Sequence, residues 1–557
     1  MKHFSRFIFL LSILINSSLL AQSLPFRNIM YYGDWSIYNG PQNFYPSEIN
    51  GKYITHLILS YLDMDSNGDL VCDEFAYFDT ITIPELEGIK YGEPYGGLIG
   101  AISILKVNNP HLKIGISVGG KTDNKIFCEV AGDKVKRQNF ANNIAKFINY
   151  VGFDFVDISW NYPTNIEGED SENFTLLLNE IRNELNNFEK NGIFYELSIT
   201  TSAYPNMMDK IQYDKVLQIV SFANMKTYDF NGAWNSYTAH HTPLYTNEAY
   251  NSDTMPEAQF SVDSCINYLE KKYGNTIDMK KIVIGVAPYT RGWSGVKDDG
   301  LDKDNPGLYA TANPNSVRSA DGTKSGIYGL HELRALIKQF ELLEFFDNSA
   351  KAAYYYSPKN GYFFSCDNEE SVAAKGKYVK EKELGGLATW MASYDQENTI
   401  IKAMFNSLYE EGYNFPKKEL IYNLISISGK IKTTKNGYTI IIQNNSFPVE
   451  TNPVLKKAEL FRKCIFNLVV YMTTKSGAKF GEDDMSGTVT NNENGEIIID
   501  PSSHPESRII LTGLGRYTFN VTTSGTPDVD DIATIEVSQR ILPSLREFKK
   551  RIIYDRR

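Results

Sequence analysis

Between Arg27 and about Asn406, short apolar runs rich in β-formers alternate with longer stretches of helical periodicity. The runs fall at residues 28–32, 56–61, 113–118, 155–160, 196–200, 219–225, 282–287 and 386–391. Apolar runs separated by helical connectors, such as 136–150 and 171–189, predict parallel strands linked by helices. Eight such strands predict an α/β fold of the closed (β/α)8, or TIM barrel, type. Functional residues in such barrels gather at the C-terminal ends of the strands.

The pattern breaks twice. Between the seventh and eighth runs lie residues 291–384, far more than a βα crossover needs, so an inserted subdomain is expected there. It opens with the turn-rich stretch 298–326 and continues through a helical pattern at 330–346. After Pro416 the texture changes to short β-type runs at 438–443, 465–474, 496–500, 508–512 and 517–522, separated by Asn, Gly, Asp and Ser. This reads as a C-terminal β-sandwich over 416–540, with sugar binding and a plain spacer role both open, followed by a basic tail at 541–557.

The chain begins with Lys2 and Arg6 ahead of an apolar run at 7–15 and the small-residue stretch Ala21-Gln22-Ser23. That is the layout of a secretory signal occupying residues 1–23, with the barrel unit running over 24–415. The expected location is outside the cell or on its surface, or the periplasm if the protein is retained in a Gram-negative bacterium. No later run is long enough to predict a membrane span. Apolar residues make up 42% and charged residues 22% of the 557, an ordinary globular composition. A net charge of −11 argues against a nucleic-acid partner and against a long anionic polymer. Five scattered cysteines show no metal or redox spacing, so neither a metal nor a cofactor is expected; the odd count leaves at least one thiol unpaired.

The fourth run carries the candidate chemistry. It reads Gly-Phe-Asp-Phe-Val-Asp-Ile-Ser-Trp-Asn-Tyr-Pro over residues 152–163, which resembles the active-site strand of the family 18 glycoside hydrolases, the chitinases and chitinase-like proteins. In that family the strand runs Asp-x-x-Asp-x-Asp-x-Glu and then Tyr-Pro. Here Asp154 and Asp157 match, while Ser159 and Asn161 stand in the last two acidic places. Other segments share the resemblance: Tyr31-Tyr32 with Trp35, Ser117-Val-Gly-Gly, Lys226-Thr-Tyr228-Asp229, Ala287-Pro-Tyr289-Thr-Arg291 and Ala388-Thr-Trp390. The resemblance covers about residues 26–405 and implies a TIM barrel with the chitinase-type insertion subdomain.

Alternate residues of a strand face one side, so Asp157, Ser159 and Asn161 form a row pointing into the barrel mouth. The family, as the resemblance implies, uses the terminal Glu to protonate the glycosidic oxygen while the substrate's own acetamido carbonyl attacks the anomeric carbon. An Asn amide cannot donate that proton near neutral pH, and Ser159 brings no negative charge to the intermediate. General acid catalysis alone is worth on the order of 10²- to 10⁴-fold. No catalytic residue of the motif is therefore intact.

A sugar-binding wall is what the resemblance leaves. Trp390 matches the Trp under the bound pyranose, and Tyr228 with Asp229 matches the pair that holds the acetamido group. Tyr31, Trp35, Trp234, Tyr289 and Arg291 are candidate further contacts. Each has a plainer alternative, as packed core for the aromatics and as internal pairing for Asp229 with Arg291. Two departures bear on the pocket: Lys121 follows the Gly-Gly pair where the family commonly has Trp, and Lys226 stands first in the Met-x-Tyr-Asp pattern. The leading expectation is an exported chitinase-like protein that binds chitin, chitooligosaccharides or other N-acetylglucosamine-containing glycans without hydrolysing them. Two alternatives stay open: a weakly active or divergent glycoside hydrolase, and a scaffold for a protein partner.

Overall fold

The computed structural model describes residues 26–416, apart from 39–42, 81, 85–95, 121, 123, 161–162, 164–168 and 190–193, together with 450–459 and the backbone of the elements named below between 427 and 552. Eight parallel strands close a barrel: Arg27–Gly33, His56–Met64, Lys113–Gly119, Phe155–Ser159, Glu196–Ser202, Phe222–Lys226, Ile282–Val286 and Gly386–Thr389. Closure is direct, since the first strand pairs with both the last, Arg27 opposite Gly386, and the second, Ile29 opposite His56. All eight expected strands are present. The sixth begins three residues later than the apolar run, because Ile219 still belongs to the helix Tyr213–Ile219.

Local sequence explains how the fourth strand is aimed. The Asp133 carboxylate accepts the backbone N–H groups of Val135 and Lys136 at 2.8 and 3.0 Å, capping the helix Lys134–Val151. Gly152 ends that helix at φ 72°, a left-handed conformation that costs glycine little. The chain reverses there and enters Phe155–Ser159 directly.

The insertion is a four-stranded antiparallel sheet, in the order Leu343–Asp347, Ala352–Ser357, Tyr362–Cys366 and Arg291–Trp293, with the helix Leu330–Phe340 beside it. Two expectations change here. The helical pattern at 330–346 is cut at Glu341, whose φ of 51° stops the helix, and residues 343–347 become a strand. The inserted sheet also ends at Cys366 rather than near 384: the helix Glu369–Glu381 packs on Thr399–Leu408 as a barrel helix, and its Lys375 is buried on Asp367 at 2.6 Å.

Residues 427–552 hold two antiparallel sheets, one of Ile427–Thr434, Gly437–Asn444, Gly515–Thr522 and Met485–Val489, the other of Glu496–Asp500, Arg508–Thr512, Phe466–Thr474, Ile532–Ile541 and Arg546–Ile552. The basic tail expected from residue 541 therefore contains a strand, Arg546–Ile552, paired along Ile532–Ile541. A lysine- and arginine-rich sequence suits its place at the sheet edge, where charge discourages further pairing. A helix, Pro453–Ile465, interrupts the β-type region and was not foreseen. Its first turns seat on the barrel, burying Val454, Leu455 and Ala458, while Lys457 pairs with Asp79 and Glu74. Just before the helix, Glu450 accepts from Tyr150 at 2.8 Å and from Lys146 at 3.2 Å.

At the N-terminal end of the barrel the first residues of four strands meet. Glu196 lies 2.9 Å from His56 Nε2, 2.9 Å from Lys113 and 3.8 Å from Arg27. Burial alone would raise the Glu196 carboxyl, but His56, Lys113 and Arg27 together hold it far below the usual range. Burial pushes the His56 imidazole down to about 4, against the pull of Glu196. Both shifts act with the same sign. Glu196 contributes stability above its unfolded value of 4.5, and this is lost as pH falls; His56 is neutral when folded but protonated when unfolded between about 4 and 6.5. Stability to denaturant should therefore fall on acidification from about pH 6.5. Glu196→Gln should cost about 3 kcal/mol at neutral pH by stranding buried cations, read as a shifted urea midpoint. An unchanged midpoint would show that the cluster contributes nothing.

Candidate functional site

Inward-facing residues of the barrel strands change from apolar to polar toward the C-terminal end. Phe155 and Phe222 lie in the apolar lower layer, and the next inward residue of the fourth strand is Asp157. Asp157 is wholly buried. One oxygen accepts from Ser198 at 2.7 Å; the other accepts from Ser117 at 2.8 Å, Thr200 at 2.9 Å and Tyr31 at 3.4 Å. Burial raises its pKa, and the four hydroxyl donors pull it back. Asn224 adds a donor to the Tyr31 hydroxyl at 2.7 Å, completing a sealed polar layer across the first, third, fourth, fifth and sixth strands.

Ser159 comes next on the row, 2% exposed and hydrogen-bonded to the Tyr61 phenol. Two glycines make its surroundings possible. A Cβ on Gly119 would lie 2.4 Å from the Ser159 carbonyl oxygen, and one on Gly120 would lie 2.3 Å from the Tyr61 ring. The Ser-Val-Gly-Gly pattern thus has a steric reason: only glycine lets the third strand end against both the fourth strand and Tyr61. Asn161 and Lys121 fall outside the described residues. Asp154 is not part of the mouth; at the opposite end of the strand it accepts from Lys106 at 2.6 Å and from the Ile114 backbone N–H at 2.7 Å.

An aromatic wall rises above this layer. The Trp390 ring lies 5.8 Å from Tyr61 at an interplanar angle of 27°, 5.6 Å from Tyr31 and 6.1 Å from Trp35. Trp35 in turn stacks on Tyr61 at 6.1 Å. Gly33 allows this, since a Cβ there would lie 2.6 Å from the Trp35 indole. Tyr61 was not among the expected site residues; alternation from His56 and Ile58 would put Ser60 on the inner face, and the register shift between Ser60 and Leu62 is what brings Tyr61 to the mouth. The wall continues into a cavity of about 520 Å³ lined by Trp35, Asp321, His331, Glu332 and Tyr394 among others.

Across the mouth, Asp229 adopts φ 62° just beyond the sixth strand. Its Oδ1 accepts from Arg291 Nε at 2.7 Å and from the Tyr289 hydroxyl at 2.8 Å, with His241 Nδ1 at 3.5 Å. Burial alone would raise this carboxyl, but His241 and Arg291 hold it far below the usual range, so it is an anion at neutral pH. Its side chain remains 35% exposed. Arg291 also lies over the Trp234 ring at 5.2 Å, and Trp234 is 49% exposed. Tyr228 sits edge-on to Tyr289, in space that the absent side chain of Gly285 leaves open.

The expected residues thus divide. Trp35, Trp390, Tyr228, Asp229, Arg291 and Trp234 border the mouth. Tyr31 and Tyr289 are buried, with hydroxyls committed to Asp157, Thr200 and Asn224 or to Asp229. Sequence reading did not find the hydroxyls around Asp157 or His241 behind Asp229, although Ser117, Ser198 and Thr200 share the inward parity of their strands. Among the described residues no cluster of His, Cys, Asp and Glu is arranged to hold a metal ion, and no helix is long and apolar enough to cross a membrane. Cys72, Cys128, Cys265 and Cys366 are thiols outside any disulfide.

Residues 27–395 match the profile of glycosyl hydrolases family 18. Chitinase A1 of Niallia circulans is 30% identical over 444 residues, covering 72% of this chain and 61% of that relative's own length. Chitinase ChiA74 from Bacillus thuringiensis shares the fold at a TM-score of 0.61 and 21% identity, covering 92% of this chain and 100% of that one. The Ostrinia furnacalis Group IV chitinase, solved in complex with allosamidin, does so at 0.56 and 24% identity, over 68% of this chain and 96% of that one. The barrel with its inserted sheet, the glycine-closed third strand and the profile match over most of the chain's length establish that the chain belongs to family 18 of the glycosyl hydrolases.

Proposed function

We propose that this chain is an exported chitinase-like protein that binds chitin or another N-acetylglucosamine-containing glycan at the barrel mouth and does not hydrolyse it. The observation that carries the reading is the row running from Asp157 to Ser159. Its one carboxylate within the described strand is sealed beneath four hydroxyl donors, and the next inward side chain is a neutral hydroxyl bonded to Tyr61. In the sequence the following inward position is Asn161, which has no proton to give near neutral pH.

The other side of the mouth has the features that binding needs. A flat indole at Trp390, backed by Tyr61, Tyr31 and Trp35, offers a surface for the apolar face of a pyranose. Asp229, held as an anion, offers an acceptor for an acetamido N–H, and Tyr228 stands beside it. Asp229 is a poor substitute acid, because the same neighbours that hold its charge also keep it from carrying a proton. The two C-terminal sheets fit a β-sandwich that presents or spaces the barrel, and the helix Pro453–Ile465 is its attachment.

The test uses purified protein and chitotetraose. Calorimetric titration should show binding, and overnight incubation should release no shorter oligomer. Turnover that disappears in Asp229→Asn would support a divergent hydrolase instead. No binding to any chito-oligomer, with a protein recovered in pull-downs, would support the scaffold alternative.

A further inference from the structure

Asp229 presents its carboxylate to the mouth from a left-handed backbone, φ 62°, which a residue with a Cβ keeps only where its surroundings hold it. Two side chains supply the hold. The Tyr204 hydroxyl donates toward the carbonyl oxygens of Asp229 and Phe230, each at 3.1 Å, and the Asp229 backbone N–H donates to Nδ1 of His241 at 3.3 Å. His241 is wholly buried and sits at a junction. Its carbonyl accepts the Phe230 N–H at 3.0 Å, and its own N–H donates at 3.0 Å to Ser365, which lies opposite Arg291 in the inserted sheet. Its ring Nε2 lies 3.1 Å from the Tyr289 carbonyl oxygen, beyond the seventh strand. One residue thus links the three segments that carry Asp229, Tyr289 and Arg291.

These partners fix the ring's proton. A carbonyl oxygen only accepts, so Nε2 carries the hydrogen; a backbone N–H only donates, so Nδ1 is bare. Burial lowers the imidazole pKa against the pull of Asp229, and the ring is neutral at neutral pH. A second proton would have to sit on Nδ1. There it would face the Asp229 N–H, and its acceptor would become Asp229 Oδ1 at 3.5 Å. The left-handed turn would lose a hydrogen bond, and the carboxylate would be spent on the imidazolium. The other charges around the ring are Arg291 and Asp367, the latter paired with Lys375 at 2.6 Å, while Lys226 of the sixth strand acts on Asp229.

We propose that His241 is the positioning residue of the glycan site: as the neutral Nε2–H tautomer it accepts the Asp229 N–H and so sets the carboxylate where it receives an acetamido N–H. The inference rests on the glycan-binding reading above and assigns the residue that controls its Asp229 contact. His241 itself touches no sugar.

Chitotetraose has no titratable group, so a pH dependence of its affinity comes from the protein. By calorimetric titration of the full chain, affinity should be level above about pH 7 and fall on acidification below 6.5, as the ring takes its second proton. His241→Leu removes the acceptor and should weaken binding about 10-fold at neutral pH. His241→Asn, whose Oδ1 accepts in place of Nδ1, should keep affinity within about 3-fold of the wild type and abolish the fall in acid. Should the Leu variant not fold, the Asn variant and the pH profile carry the test. Imidazole nitrogen NMR adds a readout that needs no ligand: the signals missing from His241→Asn should show a bare Nδ1 and a protonated Nε2 at neutral pH. A protonated Nδ1, an Asn variant that loses about 10-fold in affinity, or a fall in acid that persists in His241→Asn would overturn the inference and leave glycan binding intact. No binding of chitotetraose by the wild type would overturn the glycan-binding reading and this inference with it.

Discussion

Hydrolysis of chitotetraose should rise at least about 100-fold above background when Ser159→Asp and Asn161→Glu are introduced together, since general acid catalysis alone is worth 10²- to 10⁴-fold. Ser159 already faces the mouth, so Ser159→Asp returns its carboxylate without moving the backbone, and the period of two in the sequence puts position 161 on the same row. The first of them meets a coupled site. Ser159 is buried and inward-facing one step above Asp157, whose pKa burial already raises, so an aspartate there shares one proton with it. That sharing leaves the pair of aspartates with one negative charge to stabilise the intermediate, while the glutamate at position 161 supplies the proton. Neither single substitution should suffice: Asn161→Glu alone lacks the charge that stabilises the intermediate, and Ser159→Asp alone lacks the donor. Product release followed by chromatography reads the result. A folded double variant that binds chitotetraose yet stays at background would overturn the idea that lost carboxylates alone silence the barrel. Adding Lys226→Met would then show whether that cation is the remaining obstacle.

Removal of the Trp390 indole should weaken chitotetraose binding by about 30-fold, or roughly 2 kcal/mol, the scale of a buried aromatic anchor. The ring has neighbours on several sides, with Tyr61, Tyr31 and Trp35 all within 6.1 Å. Trp390→Ala therefore also opens the wall, and Trp390→Phe separates the two effects by keeping a face while reducing its area. The Phe variant should retain most of the affinity and nearly all of the thermal stability. Affinity unchanged in Trp390→Ala would reduce the wall to packing.

Much of this site was legible in the chain before any fold was known, for a physical reason. Strand alternation has a period of two, so Asp157 and Ser159 share a face whatever surrounds them, and buried apolar runs mark the eight barrel strands at nearly their true bounds. The Gly119-Gly120 pair was visible as a motif, but its reason, the Ser159 carbonyl and the Tyr61 ring, lies 40 and 59 residues away from them respectively. The same holds for the helix Pro453–Ile465, whose Lys457 pairs with Asp79 and Glu74 in a seat that no local pattern announces.

The sequence by itself determined the barrel, the inserted segment and the loss of two carboxyl groups from the fourth strand, because each is written in residue type and short-range period. Tertiary structure alone decided which charges are free to act. It sealed Asp157 beneath hydroxyls from three other strands and tied Asp229 to Arg291 and Tyr289. Hydrogen bonds and desolvation depend on what the fold brings within a few ångströms, and separation along the chain says nothing about that.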